Sequence, residues 1–346
     1  MAAVLVATPI LFPSPPATPD SSLVTADTTR RADSTVTGDS TVVGSSAPLS
    51  TGASPAVTAT APNPAAASAI ASAGAAQTDS ATAQSAVTPI DTTAVSTARA
   101  VYRTSNRGAS LVGAELSQFV ALKDKSKKTK DPVELAQTGD PLLTFRLVVP
   151  GDTVRLDKQV FRTTRGEENG LTTVRYDATV AARAVTITYS FLPDSYRVNV
   201  AATVSGAAEN TYLLVDLPPA FRSSEADTAE DHNHLAYAYK RDAEGATGVA
   251  FSSLDPGERE IAAGPIMWAV AKSKYFLVGM LAPVGKPGFA ELNVTGGERR
   301  GKQATRAQAT AVIPLIGGST AFEMYAGPQE FTRLVKMGRE FETSNP

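Results

Sequence analysis

The residues best equipped for chemistry stand together in "EADTAEDHNHLAY", positions 225–237. Glu225, Asp227, Glu230, Asp231, His232 and His234 bring four carboxylates beside both histidines of the chain. Such a set could ligate a metal ion or relay protons. The two histidines stand at i and i+2, which would put them on one face of a strand. Their neighbours read as a polar loop, however, and an exposed acidic loop is the simpler account. A second set, "KDKSKKTK" at 123–130, packs five lysines around one aspartate. Two readings fit it: a solvated hairpin turn, or a surface that docks anionic headgroups or an acidic partner. No aromatic residue interleaves it, so stacking on single-stranded nucleic acid is not supported. The glycines of "SGAAENT" and "NVTGGERRGK" lack phosphate-loop spacing, and no cofactor is implied.

The elements that would position these residues are β-strands. Val185, Ile187, Tyr189 and Phe191 alternate with Thr186, Thr188 and Ser190. Pro193-Asp194-Ser195 then forms a type I turn signature, and Tyr196, Val198, Val200, Ala202 and Val204 resume the alternation. That is a hairpin with one buried and one wet face. Similar strands are expected over 109–122, 142–148, 153–162, 171–180, 210–217, 247–252, 288–295, 303–315 and 319–326. So many strands in one run predict a large antiparallel sandwich with a substantial core.

"GPIMWAVAKSKYFLVGMLAP", positions 264–283, holds the only tryptophan of the chain and is long enough to suggest a membrane span. Lys272 and Lys274 stand near its centre, and each would cost roughly 2.5–3.5 kcal/mol in a bilayer. The stretch reads instead as two strands joined by a turn at Lys272-Ser273-Lys274, with Trp268 in the core. Only the end of the chain looks helical. Gly327-Pro328 stops a strand and opens a helix over 328–341. Phe331, Leu334, Val335, Gly338 and Phe341 lie on one stripe, with Arg333, Lys336, Arg339 and Glu340 opposite. Packing onto the sandwich accounts for such a helix, and its place at the exit of the domain admits a mechanical role.

Composition bounds the rest. The 346 residues carry a formal charge of −2, which gives no electrostatic case for nucleic acid. The absence of cysteine excludes disulfides, thiolate catalysis and cysteine-ligated zinc, and suits periplasm and cytoplasm equally. Residues 13–98 are nearly all Ala, Thr, Ser, Pro, Val, Gly and Asp, without Lys, Glu or aromatic residues. Such a segment cannot offset the entropy of ordering it, so a disordered tether is expected, with a reach of about 50 Å. "MAAVLVATPILF", residues 1–12, is apolar but too short to span a bilayer and lacks the marks of a cleaved signal peptide. It reads either as the distal end of a signal-anchor helix or as an inconsequential apolar tail.

Four segments, in collinear order, resemble a known family. "NRGASLVGAELSQFVALKD" (106–124), "TYSFLPDSYRVNVAATV" (188–204), "GPIMWAVAKSKYFLVGMLAP" and "YAGPQEFTRLVKMG" (325–338) are similar to the large periplasmic domain of the YidC membrane protein insertases. The segments include Trp268, Tyr275, Phe276, Gly327 and Pro328, all expected to be structural. The resemblance runs from about residue 99 to 342. It implies a β-supersandwich of the sugar-mutarotase type closed by a C-terminal helix, behind a signal anchor and a periplasmic tether at the inner membrane. It implies no catalysis. It implies contacts with the Sec accessory subunit SecF, with emerging membrane proteins, with the inner-membrane surface and with the insertase's own membrane region. That membrane region would follow the helix and does not occur before Pro346. The coupling role of the helix is carried onto Phe331, Leu334, Val335 and Phe341. The alternative on this fold is a carbohydrate-binding or mutarotase-like protein. Its acid–base pair would have to come from His232 or His234 with Glu225, which all lie in one loop.

Overall fold

In this computed structural model, residues 89–123, 131–301 and 303–344 are described. Residues 1–12, most of the tether segment and all of the lysine-rich segment beyond Lys123 therefore lie outside them. The first four strands, β1 (Thr92–Ser96), β2 (Ala100–Ser105), β3 (Ser110–Val120) and β4 (Pro132–Glu134), form a small antiparallel sheet in that order. The folded domain thus starts before residue 99. β1 carries one buried side chain, Val95, and exists because it pairs with β2 over Thr92–Ser96, a tertiary cause that an Ala/Thr/Ser composition does not show.

The remaining elements follow as β5 (Thr144–Val149), β6 (Asp152–Arg155), β7 (Arg162–Glu168), β8 (Leu171–Val180), β9 (Arg183–Phe191), β10 (Arg197–Val204) and β11 (Tyr212–Asp216). A short helix α1 (Thr228–His232) precedes β12 (Ala236–Arg241) and β13 (Ala246–Ala250). Then come β14 (Arg259–Lys272), β15 (Phe276–Leu281), β16 (Phe289–Gly296), β17 (Arg299–Arg300), β18 (Gln303–Ala304), β19 (Ala307–Pro314), β20 (Ser319–Pro328) and helix α2 (Phe331–Val335). The main sheet has 14 strands, and its path runs β6-β5-β11-β19-β16-β14-β15-β20-β10-β9-β8-β7, with β12 and β13 branching from β14. The expected strand at 153–162 is broken by a 3-10 turn at Leu156–Lys158, whose Leu156 is pulled into the core.

β14 joins the two halves of this sheet. Its first part pairs with β16, a bulge falls between Ala263 and Ile266, and its last part runs between β12 and β15. Gly264-Pro265 therefore sits inside a strand rather than bounding one. The inner faces meet: the rings of Phe145 on β5 and Tyr189 on β9 are 6.5 Å apart, and Tyr102 on β2 lies 5.3 Å from Phe191. Tyr176 donates its hydroxyl hydrogen to Thr104 at 2.6 Å, tying the small sheet to β8. Period-two burial puts Val185, Ile187, Tyr189 and Phe191 of β9 inward beside Val198, Val200, Ala202 and Val204 of β10, as the registers Val198↔Phe191 and Val204↔Val185 require.

Registers also decide which face Trp268 takes. Met324 pairs with Val198 and with Met280, and Met280 pairs with Ala269, so these share the inner face. Trp268 is the next residue along and points to the outer face, with Gly279 and Tyr325. It is fully buried all the same, because the end of the chain covers it. The tryptophan does not fill the space between the layers.

Candidate functional site

The acidic and histidine-rich stretch folds into α1. Asp227 caps it by accepting from the backbone amides of Ala229 at 3.1 Å and Glu230 at 3.0 Å. Lys274 donates to a Glu230 carboxylate oxygen at 3.2 Å, and His234 lies 3.3 Å from the same oxygen. These two groups hold the Glu230 carboxyl below its ordinary range. His234 and Glu230 are about half exposed, so the cluster is a surface link between α1 and the β14–β15 turn. Glu225 lines a cavity of about 400 Å³ with Val120, Lys274, Tyr275, Phe276 and Gln329. Among the described residues no group of three or more His, Asp and Glu side chains could hold a metal ion.

Of the other candidate residues, Trp268 and Phe341 meet on the outer face of β14, β15 and β20, whereas Phe276 shares the inner face of β15 with Met280. The expected helix over 328–341 is only the five residues of α2. β20 keeps pairing with β15 as far as Pro328, and the Gln329 amide still donates to the Tyr275 carbonyl at 2.8 Å. Glu330 remains extended, so the helix cannot begin earlier. It ends before Gly338, where the backbone enters the left-handed region at φ 67°, followed by Arg339 at 61° and Glu340 at 53°. This reversal brings Phe341 back onto the sheet.

The stripe is split accordingly. Leu334 and Phe341 are buried, at 2% and 0% exposure, whereas Phe331 is 67% and Val335 44% exposed. Phe341 packs edge-to-face on Trp268 at 5.7 Å and on Tyr325 at 5.9 Å. Gly279 makes room for it, since a Cβ there would stand 3.1 Å from the Phe341 ring. The Trp268 indole N–H donates to the Arg339 carbonyl at 3.0 Å. Gly327 and Pro328 are buried in the β15–β20 pairing, and Phe276 is buried against Phe119 at 5.4 Å between rings. Tyr275 is not a core residue: it is 47% exposed at the tip of the β14–β15 hairpin, with the Lys274 ammonium 5.5 Å from its ring centre. The turn closed by the Ser273 amide on the Phe276 carbonyl turns its side chain outward.

Two residues of this face, Glu323 and Lys240, escape sequence reasoning, and Arg339, expected on the wet side opposite the apolar stripe, turns inward instead. The Arg339 side chain is only 7% exposed; it contacts Glu323 at 3.1 Å and donates to the Ala282 carbonyl at 2.5 Å. Glu323 also accepts from Arg197 at 2.7 Å. Lys240 is buried and lies 3.7 Å from Glu340. Their partners are far along the chain, and no local spacing announces them.

Relatives fit this architecture. Over 183 residues, 49% of this chain, the sequence is 30% identical to the membrane protein insertase YidC of Chlorobium phaeovibrioides (strain DSM 265 / 1930). The match spans 30% of that relative's length. Among solved structures, the α-N-acetylgalactosaminidase NagBb of Bifidobacterium bifidum, a quadruple mutant, superposes with a TM-score of 0.50 at 8% identity, covering 72% of this chain and 38% of that one. A galactose mutarotase-like protein from Lactobacillus casei ATCC 334 gives a TM-score of 0.43 at 10% identity, over 69% of this chain and 100% of its own. At such identities the likeness is one of fold and says nothing of sugar chemistry. Residues 92–345 match the family described as the YidC periplasmic domain, and the chain belongs to it.

Proposed function

We propose that this domain is the non-catalytic periplasmic part of a YidC-type insertase at the bacterial inner membrane. It assists the insertion and folding of inner-membrane proteins by docking to the insertase's own membrane region, to SecF and to nascent membrane proteins beside the inner-membrane surface. Family membership supports the setting. The observation that carries the docking role is the outer side of α2. Phe331 and Val335 stand at i and i+4, on one side of the helix, and both are exposed. Large apolar side chains left uncovered on a helix near the C-terminal end of the domain suit a surface that docks elsewhere.

The test is a full-length insertase carrying Phe331→Asp and Val335→Asp, leaving the inward-facing Leu334 intact. Insertion in a depleted strain should be impaired, while the isolated domain keeps its circular dichroism and unfolding midpoint. Full complementation by the folded double variant would remove the docking role from α2.

A further inference from the structure

Residues 338–344 are attached to the domain in an unusual way. Their backbone hydrogen bonds are local: Phe341 donates to Gly338 at 3.1 Å and Thr343 to Glu340 at 3.0 Å. Among the described residues none joins this backbone to a strand. Side chains hold the segment instead. Phe341 sits between Trp268 and Tyr325, Arg339 reaches Glu323 and Ala282, and the Trp268 indole reaches back to the Arg339 carbonyl. Against these contacts stands the backbone itself. Arg339 and Glu340 both occupy the left-handed region, which residues other than glycine rarely adopt. The Glu340 side chain gains little there, being 66% exposed with the Lys240 ammonium 3.7 Å away.

We infer that Gly338–Phe341 is a releasable strap: a strained turn clamped onto the outer face of β14 and β15, able to open while the sheet beneath it stays folded. Strained backbone persists only where surrounding contacts over-determine it, and such turns recur at switch regions. A segment without strand pairing opens below the global unfolding free energy. Opening would free the end of the domain from Trp268 and change the direction in which the chain leaves. The consequence for insertion rests on the docking role proposed above. The strap itself rests only on the contacts within the domain, and the experiment addresses those.

The chain reports on its own strap, because Trp268 is its only tryptophan and is covered by it. Amide hydrogen exchange and Trp268 fluorescence are followed on the whole 346-residue chain. The amides of Phe341 and Thr343 should exchange at least about 100-fold faster than those of β15, as a local opening requires. Glu340→Gly removes the strain at 340 and should slow strap exchange by roughly fivefold to tenfold, with β15 unchanged. Phe341→Ala should open the strap and red-shift Trp268 emission while far-ultraviolet circular dichroism is preserved. Should Phe341→Ala unfold the domain, Glu340→Gly still decides. Strap amides that exchange only with global unfolding, or exchange accelerated by Glu340→Gly, would overturn the inference. These readouts are independent of insertion, so the strap and the docking role of α2 fail separately.

Discussion

Replacing Trp268 by alanine measures how far the C-terminal segment and the sheet depend on one side chain. The indole is completely buried. A tryptophan in that position takes roughly 150–250 Å² out of water. At about 25 cal/mol per Å², that is about 4–6 kcal/mol of transfer free energy, an upper bound because the unfolded chain is partly collapsed and alanine keeps some of it. Two further losses accompany it: the edge-to-face contact with Phe341 and the hydrogen bond to the Arg339 carbonyl, each worth about 1 kcal/mol. Relaxation of the strap into the vacated space works in the other direction. The expected loss is about 3–5 kcal/mol, within the range for large aromatic truncations in packed cores. The assay is urea unfolding followed by far-ultraviolet circular dichroism, with the midpoint shift converted through the slope of the parent protein. Trp268→Phe keeps most of the ring packing and loses the indole N–H, so it should cost about 1–2 kcal/mol. A loss below about 1 kcal/mol for Trp268→Ala would refute the argument, because it would mean that the covering segment contributes almost nothing over this site.

Two other outcomes are expected. Tyr275→Ala should change stability by less than about 0.5 kcal/mol, whereas Phe276→Ala, one residue on and buried against Phe119, should cost about 3–5 kcal/mol; equal costs in thermal or urea melts would contradict the hairpin geometry. The Asp177 carboxylate accepts from Arg175 at 2.9 Å and from Thr186 at 2.6 Å, and the Arg175 contact above all holds its pKa below the ordinary value. A lowered folded pKa adds stability above the unfolded value, near about 3.9, and that stability is lost as pH falls through the folded pKa. Both groups are substantially exposed, so the effect should stay under about 1 kcal/mol. Arg175→Gln should raise the Asp177 titration midpoint in carboxyl-resolved NMR, and an unchanged midpoint would show that the pair does not form in solution.

Much of the sheet was legible because a half-buried strand writes its burial into alternate residues. The β9–β10 hairpin shows this best: Val185 to Phe191 and Val198 to Val204 alternate in the sequence, and the same residues face inward in the fold. The four segments that carried the family resemblance were legible too, since motif order is a property of the chain alone. Burial on a particular face was not. Trp268 is buried, but on the outer side of β14, where Phe341 and Arg339 cover it from 71 residues away in the case of its hydrogen bond. No local pattern encodes that distance. Helical spacing over 328–341 was real, yet the helix is confined to Phe331–Val335. Pairing of β20 with β15 outcompetes its start, and a left-handed turn, held in place by Glu323, Ala282 and Trp268, reverses the chain beyond it. The sequence therefore determined which residues are apolar and with what period. The tertiary structure alone decided which of them are covered, because covering is done by segments that meet only after the sheet has closed.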